Sequence, residues 1–244
     1  MKDRLDRVLV ARGLSENRTQ AQALVLAGKV YSGAQRLDKA GHAIGADTPL
    51  EVRGRAHPWV SRGGLKLAHG LDTFGIPVRD RTCLDVGAST GGFTDVLLAN
   101  GAARVWAVDV GRGQLAWKLR NDARVRVLER TNARYLTAAE VPDPIDLVVC
   151  DASFISLATI LPAPLALTRP GAHLVALIKP QFEAGRGSVG KGGVVRNPEV
   201  HREVCEAFRT WLGSLDGWSV LGLEESPVRG PEGNVEYLVA AARA

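Results

Sequence analysis

Cys83-Leu84-Asp85-Val86-Gly87-Ala88-Ser89-Thr90-Gly91-Gly92-Phe93-Thr94 joins a short apolar run to a glycine-rich turn. The run reads as a buried strand, and a helix is expected after the last glycines. Glycine lets the backbone turn sharply and approach a ligand, while the N-terminus of the following helix offers free N–H groups. Working outward, residues 105–108, 125–128, 145–150 and 174–178 are further short runs rich in Val, Leu and Ile, most of them separated by helical stretches. That alternation implies an α/β fold with a buried, mainly parallel sheet covered on both faces. Leu67, Leu71 and Phe74 predict a helix ahead of the first strand. A long helix is expected near 199–213. Segments 218–223 and 235–240, joined by a Pro/Gly-rich turn, read as a hairpin whose final strand is antiparallel to the rest.

Three ligands compete for the glycine turn. A nucleoside triphosphate wants G-x-x-x-x-G-K-[ST], but Phe93 stands where the phosphate-binding lysine belongs. A dinucleotide wants G-x-G-x-x-G, and Ser89 breaks that pattern. S-adenosylmethionine carries no phosphate and asks only for close backbone approach, so the loop fits it best. Asp85, Gly87, Ala88, Ser89, Thr90, Gly91, Gly92 and Phe93 are its expected contacts, with Asp151 beyond the fourth strand. Asp109 ends the second strand, where a carboxylate can accept hydrogen bonds from both ribose hydroxyls of a nucleoside. The bland alternative for Asp109 is a helix N-cap. Asn132, after the third strand, is placed to face the adenine.

The first sixty residues differ in kind. Leu5, Val8, Leu9 and Arg12 follow helical spacing up to Gly13, and a second helix is expected from about 18 to 27, capped by Ser15 or Asn17 and stopped by Gly28. Residues 30–31 and 50–52 read as strands, with a turn at Ser32-Gly33. Of 31 Lys/Arg and 26 Asp/Glu, residues 1–60 hold ten and six, leaving 21 and 20 for the rest. A basic module beside a near-neutral domain is the footprint of a protein that grips a polyanion with one part and does chemistry with another. The stretch Gly-Arg-Ala-His-Pro-Trp-Val-Ser-Arg at 54–62 separates two periodic regions. The expected division is an N-terminal domain at 1–55, a linker at 56–62 and an α/β domain at 63–244. A second glycine string, Gly185-x4-Gly190-Lys191-Gly192, nearly spells a phosphate loop. It lacks the following Ser/Thr, does not directly follow a strand, and is separated from the next helix by Pro198. It reads as a mobile substrate loop whose Arg186, Lys191 and Arg196 meet nucleic-acid phosphates.

No apolar run approaches the roughly 20 residues of a spanning helix, and the N-terminus lacks the pattern of a signal peptide. Three separated cysteines (Cys83, Cys150, Cys205) argue against a disulfide framework and for a reducing, cytoplasmic setting. The five histidines show no metal-like spacing, so no metal site is expected.

In open α/β sheets, ligands sit beyond the carboxyl ends of the strands. Asp151 ends the fourth strand, Lys179 ends the fifth, and Glu236 lies near the start of the antiparallel strand, which begins where its neighbours end. Lys66 sits on the preceding helix, beside its apolar stripe. Each has a structural reading as a cap, a strand end, an edge charge or a solvated charge. Their convergence beside the cofactor loop favours a catalytic one.

These four residues, in order and context, match the Lys-Asp-Lys-Glu tetrad of the ribose 2′-O-methyltransferases of the FtsJ/RrmJ type, which implies a Rossmann-like class I methyltransferase domain of seven strands. Arg4-Leu5-Asp6, Arg18-Thr19-Gln20-Ala21 and Gly28-Lys29-Val30 resemble the RNA-binding domain first described in ribosomal protein S4. By that match Arg4, Arg18, Gln22 and Lys29 are candidate RNA contacts, with Arg62 in the linker beside them. With Val60-Ser61-Arg62-Gly63-Gly64, Asp151-Ala152-Ser153-Phe154, Lys179-Pro180-Gln181-Phe182-Glu183 and Gly190–196, the chain resembles the TlyA (hemolysin A) family throughout. One departure is His57-Pro58-Trp59-Val60, where the family often has Arg-x-Trp-Val. The resemblance implies 2′-O-methylation of cytidine in ribosomal RNA, with S-adenosylmethionine as donor and ribosomal RNA or subunits as partner. In the chemistry expected, Lys179 is a neutral base, favoured by desolvation and the nearby cation Lys66, while Asp151 and Glu236 orient the lysines. A pore-forming hemolysin and a noncatalytic ribosome-assembly factor are the alternatives.

Overall fold

A computed structural model of the chain describes residues 2–15, 17–45, 47–54 and 57–244; the side chains of Arg186 and Pro231 lie outside that description. The domain boundary expected at 55/56 also falls outside it.

The N-terminal part begins with β1 (Lys2–Arg4), α1 (Leu5–Ala11) and α2 (Arg18–Leu26). Asn17, not Ser15, caps α2: its side chain accepts from Gln20 N at 2.9 Å. Strands β2 (Val30–Ser32), β3 (Gln35–Arg36) and β5 (Glu51–Val52) form a small sheet in the order β3-β2-β5, and β4 (Ala43–Gly45) pairs antiparallel with β1. Leu5, Leu9, Ala21, Val25 and Val30 close a small core. Beneath it Asp6 is fully buried. Arg4 donates to it at 3.1 and 3.0 Å, Arg18 at 3.1 Å and Gln22 at 2.9 Å. Hydrogen bonds from Arg4 and Gln22 hold the Asp6 carboxyl well below the usual carboxylate range.

The larger part opens with α3 (Gly63–Thr73), followed by β6 (Thr82–Val86), α4 (Gly92–Ala99), β7 (Arg104–Val108), α5 (Trp117–Arg120) and β8 (Val125–Leu128). The chain then returns through β9 (Ile145–Cys150), α6 (Leu157–Ile160), α7 (Pro162–Ala166), β10 (Thr168–Ile178), α8 (Pro180–Glu183), α9 (Pro198–Gly213), β11 (Trp218–Glu225) and β12 (Tyr237–Arg243). The seven strands lie in the order β11-β12-β10-β9-β6-β7-β8. Only β12 is antiparallel to its neighbours. Because β7 and β8 build to one side of β6 while β9 and β10 build to the other, strand order reverses at β6/β9. A crevice opens there.

All six residues of β9 are buried. Ile145, Val148 and Cys150 face the layer of α6, α7 and α9, whereas Leu147 and Val149 face that of α3 and α4. Each such aliphatic side chain contributes about 1.5–3 kcal/mol of burial. That is why this strand reads as an apolar run broken only by Asp146, whose carboxylate accepts from Thr82 N at 2.8 Å.

Three boundaries depart from the sequence expectation. β10 starts at Thr168, ahead of the expected 174, because Pro170-Gly171 is absorbed in a bulge between Thr168 and His173 and does not break the strand. β12 starts at Tyr237, so Glu236 immediately precedes it. Pro198 does not separate the glycine string from α9 but opens the helix at its first position, with Asn197 as cap.

The two parts touch. A side chain at Gly13 would put its Cβ 2.3 Å from that of Ala116, whose N–H donates to Thr90 O in the glycine turn. Between the parts, Val60 N donates at 2.9 Å to Asp95 on α4, which Lys118 also grips at 2.8 Å.

The Asp6 network yields a signed prediction. A carboxyl depressed in the folded state contributes its full stability above its unfolded pKa of about 4 and loses it as pH falls below that value. Asp6→Asn should therefore weaken the N-terminal domain by about 1–3 kcal/mol at neutral pH. The gap to the parent should close on acidification, as read by hydrogen exchange in α1 and α2; a gap independent of pH would contradict this.

Candidate active site

The glycine turn carries the backbone from β6 to α4 across the crevice. Gly87 has φ +81°, and a Cβ there would meet the Ala152 backbone at 3.1 Å. A side chain at this position would thus be both strained and blocked. Ser89 also takes a positive φ, and its N–H donates to Asp109 at 2.8 Å. Gly111 N donates to the other oxygen of Asp109 at 2.7 Å. Backbone donors thus aim that carboxylate, and each oxygen keeps a lone pair. Asp109 is not a helix cap.

Two clefts meet at this turn. One, of about 430 Å³, is lined by Gly87, Ser89, Asp109, Asn132, Asp151 and Phe154 among others. The second, of about 310 Å³, runs past Ser61, Arg62, Gly87–Thr90, Gly92 and Phe93 to Lys66, Asp151, Ser153, Lys179, Arg229, Gly230 and Glu236. Gly87, Ser89, Asp151 and Ser153 line both. The two clefts therefore form one trough, with the Asp109 carboxylate in one part and two lysines in the other. Its donor set fits S-adenosylmethionine: a paired-acceptor carboxylate at Asp109, an amide at Asn132, and a backbone turn without a phosphate-binding cation.

The expected tetrad comes together. Lys66 pairs with Glu236 at 2.5 Å, and Lys179 with Asp151 at 2.6 Å. The first contact is also a hydrogen bond, donated by Lys66 to Glu236 Oε2. The second is an ion pair without hydrogen-bond alignment, and Lys179 instead donates to Ser153 Oγ at 3.0 Å and to the Asp151 carbonyl at 3.2 Å. Lys66, Lys179 and Glu236 are all buried. Lys66 is thus turned into the cleft, not placed on a solvated flank beside the apolar stripe. Glu236 fits only because Gly230 faces it, since a Cβ there would lie 2.1 Å from Oε1. That oxygen is buried and has no hydrogen-bond partner among the described residues.

Other expected contacts sit differently. Asp85 lies behind the turn, fully buried, accepting from Thr94 Oγ1 at 2.7 Å; burial pushes its carboxyl up to about 7. It braces the turn and does not line the trough. Gly91 caps α4 in the left-handed region and packs toward Leu115 and Leu119. Asn132 also caps a short 3-10 turn by accepting from Arg134 N. Arg4, Arg18 and Gln22 are tied to Asp6, while Lys29 is exposed and meets Gly54 O at 3.5 Å. Lys191 and Arg196 are exposed and line neither cleft. Their loop, expected to be mobile, is pinned at Gly193 and Val195 by the Asn234 side chain. For Arg186 the side chain lies outside the described residues.

Sequence reasoning passed over Ser153, Arg229 and Phe154. Ser153 stands inside a string already singled out. Phe154 combines a positive φ of 65° with 89% exposure, its ring 4.9 Å from that of Phe182. Arg229 has no local signal, because only the loop before β12 carries it to the cleft.

Comparison with known proteins follows the same outline. Residues 59–243 match the model of the FtsJ-like methyltransferase family, and residues 3–48 match the S4 domain. A Mycobacterium tuberculosis protein named 16S/23S rRNA (cytidine-2′-O)-methyltransferase TlyA is 51% identical over 237 residues, 97% of this chain and 88% of its own. Hemolysin A of Brachyspira hyodysenteriae is 40% identical over 96% of this chain and 98% of its own. A solved structure from Streptococcus thermophilus superposes with a TM-score of 0.76 at 44% identity, covering 100% of this chain and 89% of that one. The chain belongs to the FtsJ-like methyltransferase family, among the TlyA proteins, with an S4 domain ahead of the methyltransferase fold.

Proposed function

We propose that this protein transfers a methyl group from S-adenosylmethionine to the ribose 2′-oxygen of cytidine in ribosomal RNA. The N-terminal domain grips the RNA, and residues 63–244 do the chemistry. The observation that carries this reading is the trough, which joins a nucleoside-type pocket to a buried Lys-Asp-Lys-Glu set. Relatives of the TlyA group are named for the same reaction. Among the described residues no helix is long and apolar enough to cross a membrane.

Asp109 and Asn132 would hold the nucleoside of the donor, and the Gly87–Thr90 backbone would give it the close approach it needs. When bound, S-adenosylmethionine supplies a methyl group on a sulfonium that departs as a neutral thioether. A ribose hydroxyl is a poor nucleophile at neutral pH, so its proton has to be removed as the new bond forms. Lys179, in its neutral form, accepts that proton at Nζ, and Asp151 and Ser153 fix where the nitrogen sits. Lys66, held by Glu236, supplies positive charge within the same cleft for the oxygen as it becomes anionic. Much of the rate comes from positioning, since the trough brings both reactants to one sheet edge. At the mouth, the exposed Phe154 ring offers a face on which an unstacked base can lie.

Transfer of labelled methyl groups to ribosomal RNA, with mapping of 2′-O-methyl positions, tests the reaction directly; no new 2′-O-methyl group would refute it. Lys179→Ala should lower methyl transfer by about 10²–10⁴-fold while leaving cofactor affinity nearly intact. Asp109→Ala should do the opposite, weakening cofactor binding about 10-fold or more by titration calorimetry, as expected for losing two hydrogen bonds. Glu236→Gln strands the Lys66 ammonium in a buried site and should cost about 3–5 kcal/mol in urea unfolding. The double variant Lys66→Met with Glu236→Leu should recover most of that stability and still be inactive. Recovery of activity with stability would show the pair to be structural only.

A further inference from the structure

Three oxygens surround Lys179 Nζ: Asp151 Oδ1 at 2.6 Å, Ser153 Oγ at 3.0 Å and the Asp151 carbonyl at 3.2 Å. An ammonium can donate to all of them. A neutral amine keeps only two N–H groups, and its lone pair then needs a donor. Neither a carboxylate nor a carbonyl can be one; a hydroxyl can turn its hydrogen either way. When Lys179 is neutral, its lone pair is therefore met by the O–H of Ser153.

The two side chains also differ in access. Lys179 is 6% exposed and lines only the lysine part of the trough, whereas Ser153 is exposed and lines both parts. Of the other residues common to both parts, only Ser89 has a hydroxyl, and that one donates to Gln114 Oε1 at 3.2 Å. The backbone that carries Ser153 is tied to the end of β6. Asp151 N donates to Val86 O at 3.1 Å, and the Ala152 backbone closes on Gly87.

We infer that Ser153 is a catalytic residue that relays the proton, taking it from the ribose 2′-hydroxyl at Oγ while passing its own hydrogen to Lys179 Nζ. As the 2′-oxygen bonds to the methyl carbon, the C–S electron pair stays with sulfur. The ribose proton bonds to Ser153 Oγ, and the Ser153 proton bonds to Nζ. Lys179 ends as an ammonium and Ser153 as the hydroxyl it was at the start. The positive charge that sulfur loses is the one that nitrogen gains. The ribose then has no need to displace any of the three oxygens around the buried amine. The relay deepens the ribose-methylation reading and rests on it for the identity of the substrate hydroxyl.

The test uses the full chain with ribosomal RNA and S-adenosylmethionine in single-turnover reactions. Ser153→Ala should slow methyl transfer about 10²-fold or more, and Ser153→Thr, which keeps a hydroxyl, should stay within about tenfold of the parent. The RNA and cofactor dissociation constants of Ser153→Ala should stay within about twofold, which separates lost chemistry from lost binding or folding. A residue that only positioned the lysine would give the same loss of rate, so a proton inventory decides between the two roles. Across mixtures of light and heavy water the parent rate should follow a bowed curve, with two protons moving together. The residual Ser153→Ala rate should follow a straight line, with one proton moving. In the ligand-free protein, the ¹³Cε resonance of Lys179 should shift in Ser153→Ala and stay in place in Ser89→Ala, whose hydroxyl faces Gln114. A straight line for the parent, an unmoved resonance, or full-rate transfer by Ser153→Ala would overturn the relay; Lys179→Ala inactive in the same assay would leave the reaction itself standing. A parent protein that places no methyl group on ribose would take down the relay and the reaction together.

Discussion

Two lysines are buried in one cleft, each beside a carboxylate close enough to offset the hydration its amino group gives up, and the methyltransferase domain is arranged around that requirement. Lys66 is answered by Glu236 across 170 residues of sequence, Lys179 by Asp151 across 28. The first pairing depends on the reversal of β12. Because Tyr237 pairs with Ile178, the antiparallel strand starts where β10 ends, which delivers Glu236 to the edge that also holds Lys179. A parallel strand in that place would put the carboxylate at the far end of the sheet, and Lys66 would be a buried charge without compensation.

The glycine turn obeys a related constraint. At the point where strand order reverses, β6 and β9 end side by side, and the backbones of Gly87 and Ala152 come close enough to exclude a Cβ. The same closeness lets Asp151 border both the nucleoside end of the trough and its lysine end. The proposed cofactor pocket and the lysine pair are contiguous because the fold leaves no room for anything between them.

How much of this was legible from residues alone follows from what each signal measures. β6, β7 and β9 are buried along most of their length and the edge strand β8 still carries Val125, Val127 and Leu128, so all four announce themselves, and the tetrad was visible because strand ends are where parallel sheets place their chemistry. The strands β1, β3 and β4 were not found: each is two or three residues long, and β1 and β3 are wholly exposed, so no periodicity exists to read. The burial of Lys66 was missed for another reason. Helical spacing sets it beside the apolar stripe, and only the docking of α3 against β12 shows that this flank also faces inward. Arg4, Arg18 and Gln22 were read as RNA contacts without sight of Asp6, which gathers all three. A buried acid amid a basic surface organises those side chains in advance, so less conformational freedom remains to be lost when a polyanion arrives.

The junction between the domains has its own consequence. Gly13 seats against Ala116, and Val60 is fastened to the helix that follows the glycine turn. With both attachments made, the separation between grip and reaction centre is built into the protein as into a caliper. Only an RNA whose folded surface offers a foothold and a reachable ribose at that spacing satisfies both jaws together. Discrimination among cytidines then comes from the architecture around them more than from the letters beside them.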